Sequence, residues 1–235
     1  MSRYASRAIL SVSSLKSKRV TKMAMTAKQP YHKGDLPALL LKAAEEELSE
    51  NGLERFSLRA AAKRANVSHA APAHHFKDMT GLLSALGAEG YRRLIAAQEH
   101  RQAQAAPDRV SQFVALGLGY ADFAEAHPAL FQLMFASEKP DRSHPDFAEA
   151  SLAAFAKLQD GVNALYPDET DEARRTTMLM TSWSVVHGLA ELIISGRAAA
   201  PMQLDVRTPE ERDAMIHAIL MRVHEVKGQQ TERSS

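Results

Sequence analysis

Cysteine is absent from all 235 positions, which excludes disulfides, thiolate metal sites and cysteine nucleophiles. Aromatic residues supply only 6% of the chain although 45% is apolar, so Ala and Leu carry the apolar share in place of the β-branched and aromatic residues that strands favour. The expectation is an all-α protein with enough apolar surface to bury a core. Long hydrophobic runs are also missing. The best candidate, 178–194, is interrupted by His187 and Glu191 and falls short of the roughly 18 apolar residues that cross a bilayer. We expect no membrane segment and a reducing, cytoplasmic setting. No nucleophile with a paired base, no metal-ligand spacing and no Gly-rich phosphate loop appears, so neither an enzyme nor a cofactor is expected.

What is present is unevenly charged. Residues 1–30 contain seven Lys or Arg and no carboxylate, which leaves 22 basic against 28 acidic side chains in the remainder. Within that acidic remainder, the segment from Arg55 to Lys77 holds five Lys or Arg, the three histidines His69, His74 and His75, and no carboxylate. A local basic footprint on an acidic body suits a polyanionic partner, because phosphate neutralisation depends on local charge. None of the three histidine pairs has the spacing of four that puts two ligands on one helical face, so a metal site is not expected there.

The same segment punctuates itself into two short helices. Ser57 and Ser68 stand where N-caps belong, and Asn66 can take the left-handed turn between them. Leu58, Ala61, Ala62 and Ala65 form a small-residue inner face, which lets two short helices cross closely. Pro72 is expected to be tolerated near the first turn of the second helix.

Around this helix-turn-helix the chain reads as helices. Leu36, Leu39, Leu40, Ala43, Ala44 and Leu48 make one apolar face, ended by Gly52. A long helix from about 80 to 104 is capped by Asp78 or Thr80; its Gly81, Gly87 and Gly90 either loosen it or permit close packing. Further helices are expected at 108–126, from Pro128, at 145–165 and at 169–195, the last apolar on nearly all sides. Thr208, Pro209 and Glu211 form a capping box with Pro at the first helical position, and Met215, Ala218, Ile219, Val223 and Val226 make a stripe. The domain reading is a basic arm over 1–30, a helix-turn-helix domain over 31–80, an effector-binding and dimerisation domain over 81–228 and a tail over 229–235. For the arm, a minor-groove contact, a targeting peptide, translation starting at Met23 or Met25, and a plain flexible tail all remain open.

The run through Gly52, Phe56, Ala62, Ala65, Val67, Ser68, Phe76 and Leu82 resembles the DNA-binding domain of the tetracycline-repressor (TetR) family of bacterial transcription regulators. Trp183, His187 and Gly188 resemble the Trp-His-Gly signature of a C-terminal domain type found in that family. The first resemblance implies that 68–75 is a recognition helix entering the major groove. Two positions depart from the pattern: Ala73 stands where an aromatic residue is usual, and Met79 where a phosphate-contacting Lys is usual. The expected DNA-binding residues are Arg55, Ser57, Arg59, Lys63, Ser68, His69, Ala70, His74, His75 and Lys77.

The same resemblance implies a homodimer, a double-stranded operator with two-fold symmetry and a small-molecule effector that releases it. The expected effector residues are Phe113, Tyr120, Phe123, Phe131, Met134, Met178, Trp183 and His187, each of which also reads as plain core. His187 either offers a polar group to the effector or is satisfied by a neighbouring carbonyl. The rival reading is a helical ligand-binding protein without sequence-specific DNA binding.

Overall fold

The computed structural model describes residues 36–225, and within them the chain is ten α-helices without a strand. The basic arm, the tail and Val226 lie outside the described residues. Helix α1 (Leu36–Arg55) buries Leu40, Ala43, Ala44 and Leu48. It bends at Gly52, whose φ of 71° and ψ of 170° are open to glycine, so the expected stop becomes a kink followed by one more turn. Helices α2 (Leu58–Arg64) and α3 (Ala71–Phe76) follow. Ser57 caps α2 through its side chain, which accepts from the Ala60 amide.

The end of α2 shows why Asn66 works there. Asn66 takes φ 55°, its amide donates to the Lys63 carbonyl, and the Val67 amide donates to the Ala62 carbonyl, each at 3.0 Å. These two bonds are the Schellman pattern, with Asn in the left-handed position usually held by Gly.

The start of α3 differs from expectation. Ser68 does not cap it; Ser68 to Ala70 form a turn closed by the Ala71 amide on the Ser68 carbonyl, and the helix begins at Ala71. The reason is Pro72. A helix capped at Ser68 would need the amide of residue 72 for its first internal bond, and proline has none. Starting later moves Pro72 into the first turn, where a missing amide costs nothing.

Helix α4 (Met79–Gln104) is capped by Asp78, whose carboxylate accepts from the Gly81 amide at 2.8 Å. It packs against α5 (Arg109–Ala126), α6 (Pro128–Phe135) and α7 (Pro145–Leu165), and its lower turns meet α1 and α3. Its glycines are there for packing. A Cβ at Gly87 would lie 2.6 Å from the Phe147 ring, and one at Gly90 would run into Met134 Sδ.

Helix α8 (Glu172–Ile194) lies on α5 and α7, followed by the short α9 (Ala199–Met202), which the sequence did not lead us to expect. By length and composition α8 would reach across a bilayer, with a mean hydropathy of 1.3 over its most apolar stretch. Here it packs through Met178, Leu179, Ser182, Val186, Leu189 and Ala190. Helix α10 (Pro209–Glu225) starts with the expected capping box: the Thr208 amide donates to Glu211 Oε2 at 2.9 Å, and the Glu211 amide to Thr208 Oγ1 at 3.3 Å. Ile216 and Leu220 are its buried residues, whereas Met215 and Ile219 are half-buried and Ala218 is exposed. Met215, Ala218 and Ile219 of the expected stripe therefore flank the core-facing residues, and the Val223 side chain lies outside the described ones.

Candidate DNA interface and effector cavity

The surface of α2, α3 and their junctions carries the expected DNA-binding side chains. Arg55, Arg59, Lys63, Ser68, His69, Ala70, His74, His75 and Lys77 are exposed; Ser57 is half-buried because it caps α2. Among the described residues, Arg55, Arg59, Lys63 and Lys77 form no ion pair. Arg64 behaves differently: its guanidinium donates to both carboxylate oxygens of Glu50, at 2.8 and 2.6 Å, and to Glu47 at 3.1 Å. Those two carboxylates hold its pKa above the usual arginine value, with Glu50 the larger influence. One of the five basic residues in the segment thus ties α2 to α1.

The junction between α3 and α4 is tight. Lys77 has φ 69° and ψ −59°, and the Asp78 amide donates to the Phe76 carbonyl at 2.8 Å, which is a γ-turn centred on a residue with a side chain. The first turn of α4 presses on it, since a Cβ at Gly81 would collide with the Phe76 carbonyl oxygen. The orientation of the short α3 is therefore fixed by α4.

A cavity of about 160 Å³ opens between α4, α5, α7 and α8. Of the expected effector residues, Phe113, Tyr120 and Trp183 line it. Phe123, Phe131 and Met134 do not; they are fully buried in the main core. Met178 sits in a second apolar cluster with Phe113, Val162 and Leu179. His187 is set behind the wall: its Nδ1 is 2.8 Å from the Tyr120 hydroxyl, and its ring stacks on Phe131 at 5.3 Å. Burial lowers the His187 pKa, against a smaller opposing pull from Glu191, so the ring is neutral and Nδ1 accepts from the phenol. Burial likewise pushes the Tyr120 pKa up, so the phenol keeps its proton. His187 is thus a satisfied, half-buried histidine whose partner is a tyrosine side chain in place of a carbonyl.

The wall also contains residues that the sequence did not single out, among them Tyr91, Leu94 and Gln98 on α4. Gln98 is 6% exposed; its Nε2 donates to the Leu116 carbonyl at 3.3 Å while its Oε1 is buried without a partner. Elsewhere among the described residues, no group of three His, Asp or Glu is placed to hold a metal ion.

Comparison with known proteins follows the same division. Residues 40–86 match the family model of bacterial regulatory proteins of the tetR family, and residues 113–219 match the tetracyclin repressor-like C-terminal domain. No curated protein matches the chain. Among solved structures, a protein with unknown function from Rhodococcus sp. RHA1 is 30% identical, with a TM-score of 0.64 over 85% of this chain and 96% of that one. A TetR-like transcriptional regulator from the same organism, 12% identical, shares the fold with a TM-score of 0.59 over 82% of this chain and 97% of that one. The TetR family transcriptional regulator PfmR from Thermus thermophilus, 17% identical, does so with a TM-score of 0.55 over 78% and 97%. From its two matched domains and its all-helical architecture, the chain belongs to the TetR family of DNA-binding transcription regulators.

Proposed function

We propose that this protein is a homodimeric repressor that binds a two-fold symmetric operator and is released by a small molecule in the α4–α5–α7–α8 cavity. The observation that carries the reading is the α2–α3 surface, where Arg55, Arg59, Lys63 and Lys77 are exposed and unpaired while Arg64 is neutralised. In this reading the free cations hold phosphates, while His69 and Ala70 before the start of α3 and His74 in its last turn face base edges, with Ser57, Ser68 and His75 at the margins. The Ala70 methyl suits a thymine methyl. Ala73 and Met79 give this surface less reach than an aromatic residue and a lysine would.

Dimerisation is assigned to α8 and α10. Thr176, Met180, Ser184, Gly188 and Leu192 are spaced by four along α8, and all are exposed. This uncharged ridge suits the ridge-into-groove packing of a second copy. Coupling falls to α4, whose first turn braces α3 and whose Tyr91, Leu94 and Gln98 line the cavity, about 28 Å further along at Gln98. A ligand that favours one tilt of α4 changes the spacing of the two recognition helices, and release requires only a difference in ligand affinity between the two spacings. A cytoplasmic setting and the absence of catalysis go with this reading.

Fluorescence anisotropy of the purified protein on its own upstream DNA and on random DNA, across a salt series, tests it. We expect preference for the upstream site and a steep fall in affinity with salt. Equal affinity for both DNAs favours the rival reading, a helical ligand-binding protein without sequence-specific DNA binding.

A further inference from the structure

The cavity has a chemical signature of its own. Sixteen residues line it, and none is Asp, Glu, Lys, Arg or His. Six are aromatic: Tyr91, Phe113, Tyr120, Phe135, Phe155 and Trp183. Its volume of about 160 Å³ is close to the roughly 150 Å³ of an engineered apolar cavity that takes up benzene. An ion placed here would lose its hydration and find no opposite charge, so the wall selects against charged ligands.

Several polar side chains reach the wall, but the Ser151 and Ser182 hydroxyls donate to the Ala148 and Met178 carbonyls of their own helices and the Tyr120 hydroxyl is bonded to His187, so the group that stands out is Gln98. Gln98 has its amide orientation set, because only the Nε2 end can donate to the Leu116 carbonyl. The oxygen left over, Oε1, is a buried acceptor without a donor. Backbone packing holds the residue in place: the Cβ position of Gly119 on α5 is 2.5 Å from Gln98 Cα. A buried acceptor without a partner is uncommon and favours any ligand that brings a donor.

We propose that the effector is an uncharged molecule of single-ring size carrying one hydrogen-bond donor, its ring held between the aromatic walls and its donor paired with Gln98 Oε1. The proposal rests on the ligand-response reading above and names the ligand class for that site.

Phenol, toluene and benzoate at pH 7.5, titrated into the purified full-length chain, provide the test. Trp183 lies on the wall and is the only tryptophan, so its fluorescence reports occupancy, and thermal shift gives a second readout. Phenol is expected to bind at least as tightly as toluene despite its stronger hydration, and benzoate at least a hundredfold more weakly than phenol. Gln98→Leu should lower phenol affinity on the order of tenfold relative to toluene, the worth of one buried neutral hydrogen bond.

Benzoate binding within tenfold of phenol, an unchanged phenol-to-toluene ratio in Gln98→Leu, or no binding of any probe would overturn the proposal. Should Gln98→Leu fail to fold, Gln98→Met makes the same comparison, and the three-probe series on the unaltered chain stands without a variant. Adding operator DNA separates the two readings. Phenol that binds as expected but leaves DNA bound supports the ligand class and removes ligand response. DNA released by benzoate, with phenol leaving Trp183 unchanged, keeps ligand response and removes this ligand class.

Discussion

The Tyr120 hydroxyl donates to His187 Nδ1 at 2.8 Å, and this bond ties the cavity wall to a ring that packs on the core residue Phe131 and on the wall residue Phe135. Burial of the ring disfavours its protonated form, and stability should follow pH accordingly. The His187 pKa is lowered by burial from its ordinary 6.5, and the His224 pKa shifts the same way for the same cause. The unfolded chain therefore takes up protons near pH 6.5 that the folded chain refuses. Stability from these two groups is complete above that pH and is lost as pH falls below it. Melting temperatures from pH 8 to pH 5 should show the decline beginning near 6.5, and His187→Gln should make it shallower. A flat profile would sink the assignment.

Arg64 and Lys63 are neighbours in sequence with different surroundings: Arg64 is paired with Glu47 and Glu50, and Lys63 is exposed. Arg64→Ala leaves the buried Glu47 without its cation and should lower the melting temperature. Lys63→Ala should leave the melting temperature within error and weaken DNA binding. If both variants lose DNA affinity equally while keeping stability, the distinction is wrong.

Lys77 combines strain with charge. A residue with a side chain in a γ-turn at φ 69° costs about 1–3 kcal/mol, which glycine relieves at the expense of a more flexible unfolded chain. Lys77→Gly should leave stability unchanged or raise it by up to about 1 kcal/mol in urea unfolding. The same variant should reduce the slope of log affinity against log salt by about 1, the signature of one lost phosphate contact. An unchanged slope would remove Lys77 from the interface.

Gly188 has open space around it: a Cβ there meets nothing within 4 Å. Its position on the exposed α8 ridge gives a clean test of assembly. Gly188→Glu should leave the helical circular dichroism spectrum intact and shift micromolar protein from dimer to monomer in sedimentation. A dimer that persists places the interface elsewhere.

Gly87 sits at a crowded crossing. Ala would add helix propensity worth up to about 1 kcal/mol, but its Cβ would fall 2.6 Å from the Phe147 ring. Overpacking costs about 1–3 kcal/mol, so Gly87→Ala should destabilise on balance in denaturant unfolding. A stabilised variant would mean that α7 moves aside freely.

The features legible in the sequence were local ones. The caps at Ser57, Asp78 and Thr208, the left-handed turn at Asn66 and the apolar periods of the long helices each depend on residues within a turn or two of one another, and short-range backbone chemistry fixes them. The all-helical class and the basic α2–α3 footprint followed from the same information. Even locally, two competing signals could mislead: Ser68 looked like a cap until Pro72, four residues on, moved the start of α3.

Helix packing determined which aromatic residues line the cavity and which are core, because that depends on how each helix rotates about its axis. Phe123 shares a helical period with Tyr120 yet lies in the core, as does Phe131 on α6. Nothing in the sequence separates Gln98 from the other polar residues late in α4; its burial against α5 makes it the unpaired acceptor on the wall. Arg64 counted only as one of the five cations of the basic segment, and its pairing appeared when α1 brought Glu47 and Glu50 within reach from 17 and 14 residues away. Pairings of that range are set by how whole helices pack, and no spacing in the sequence encodes them.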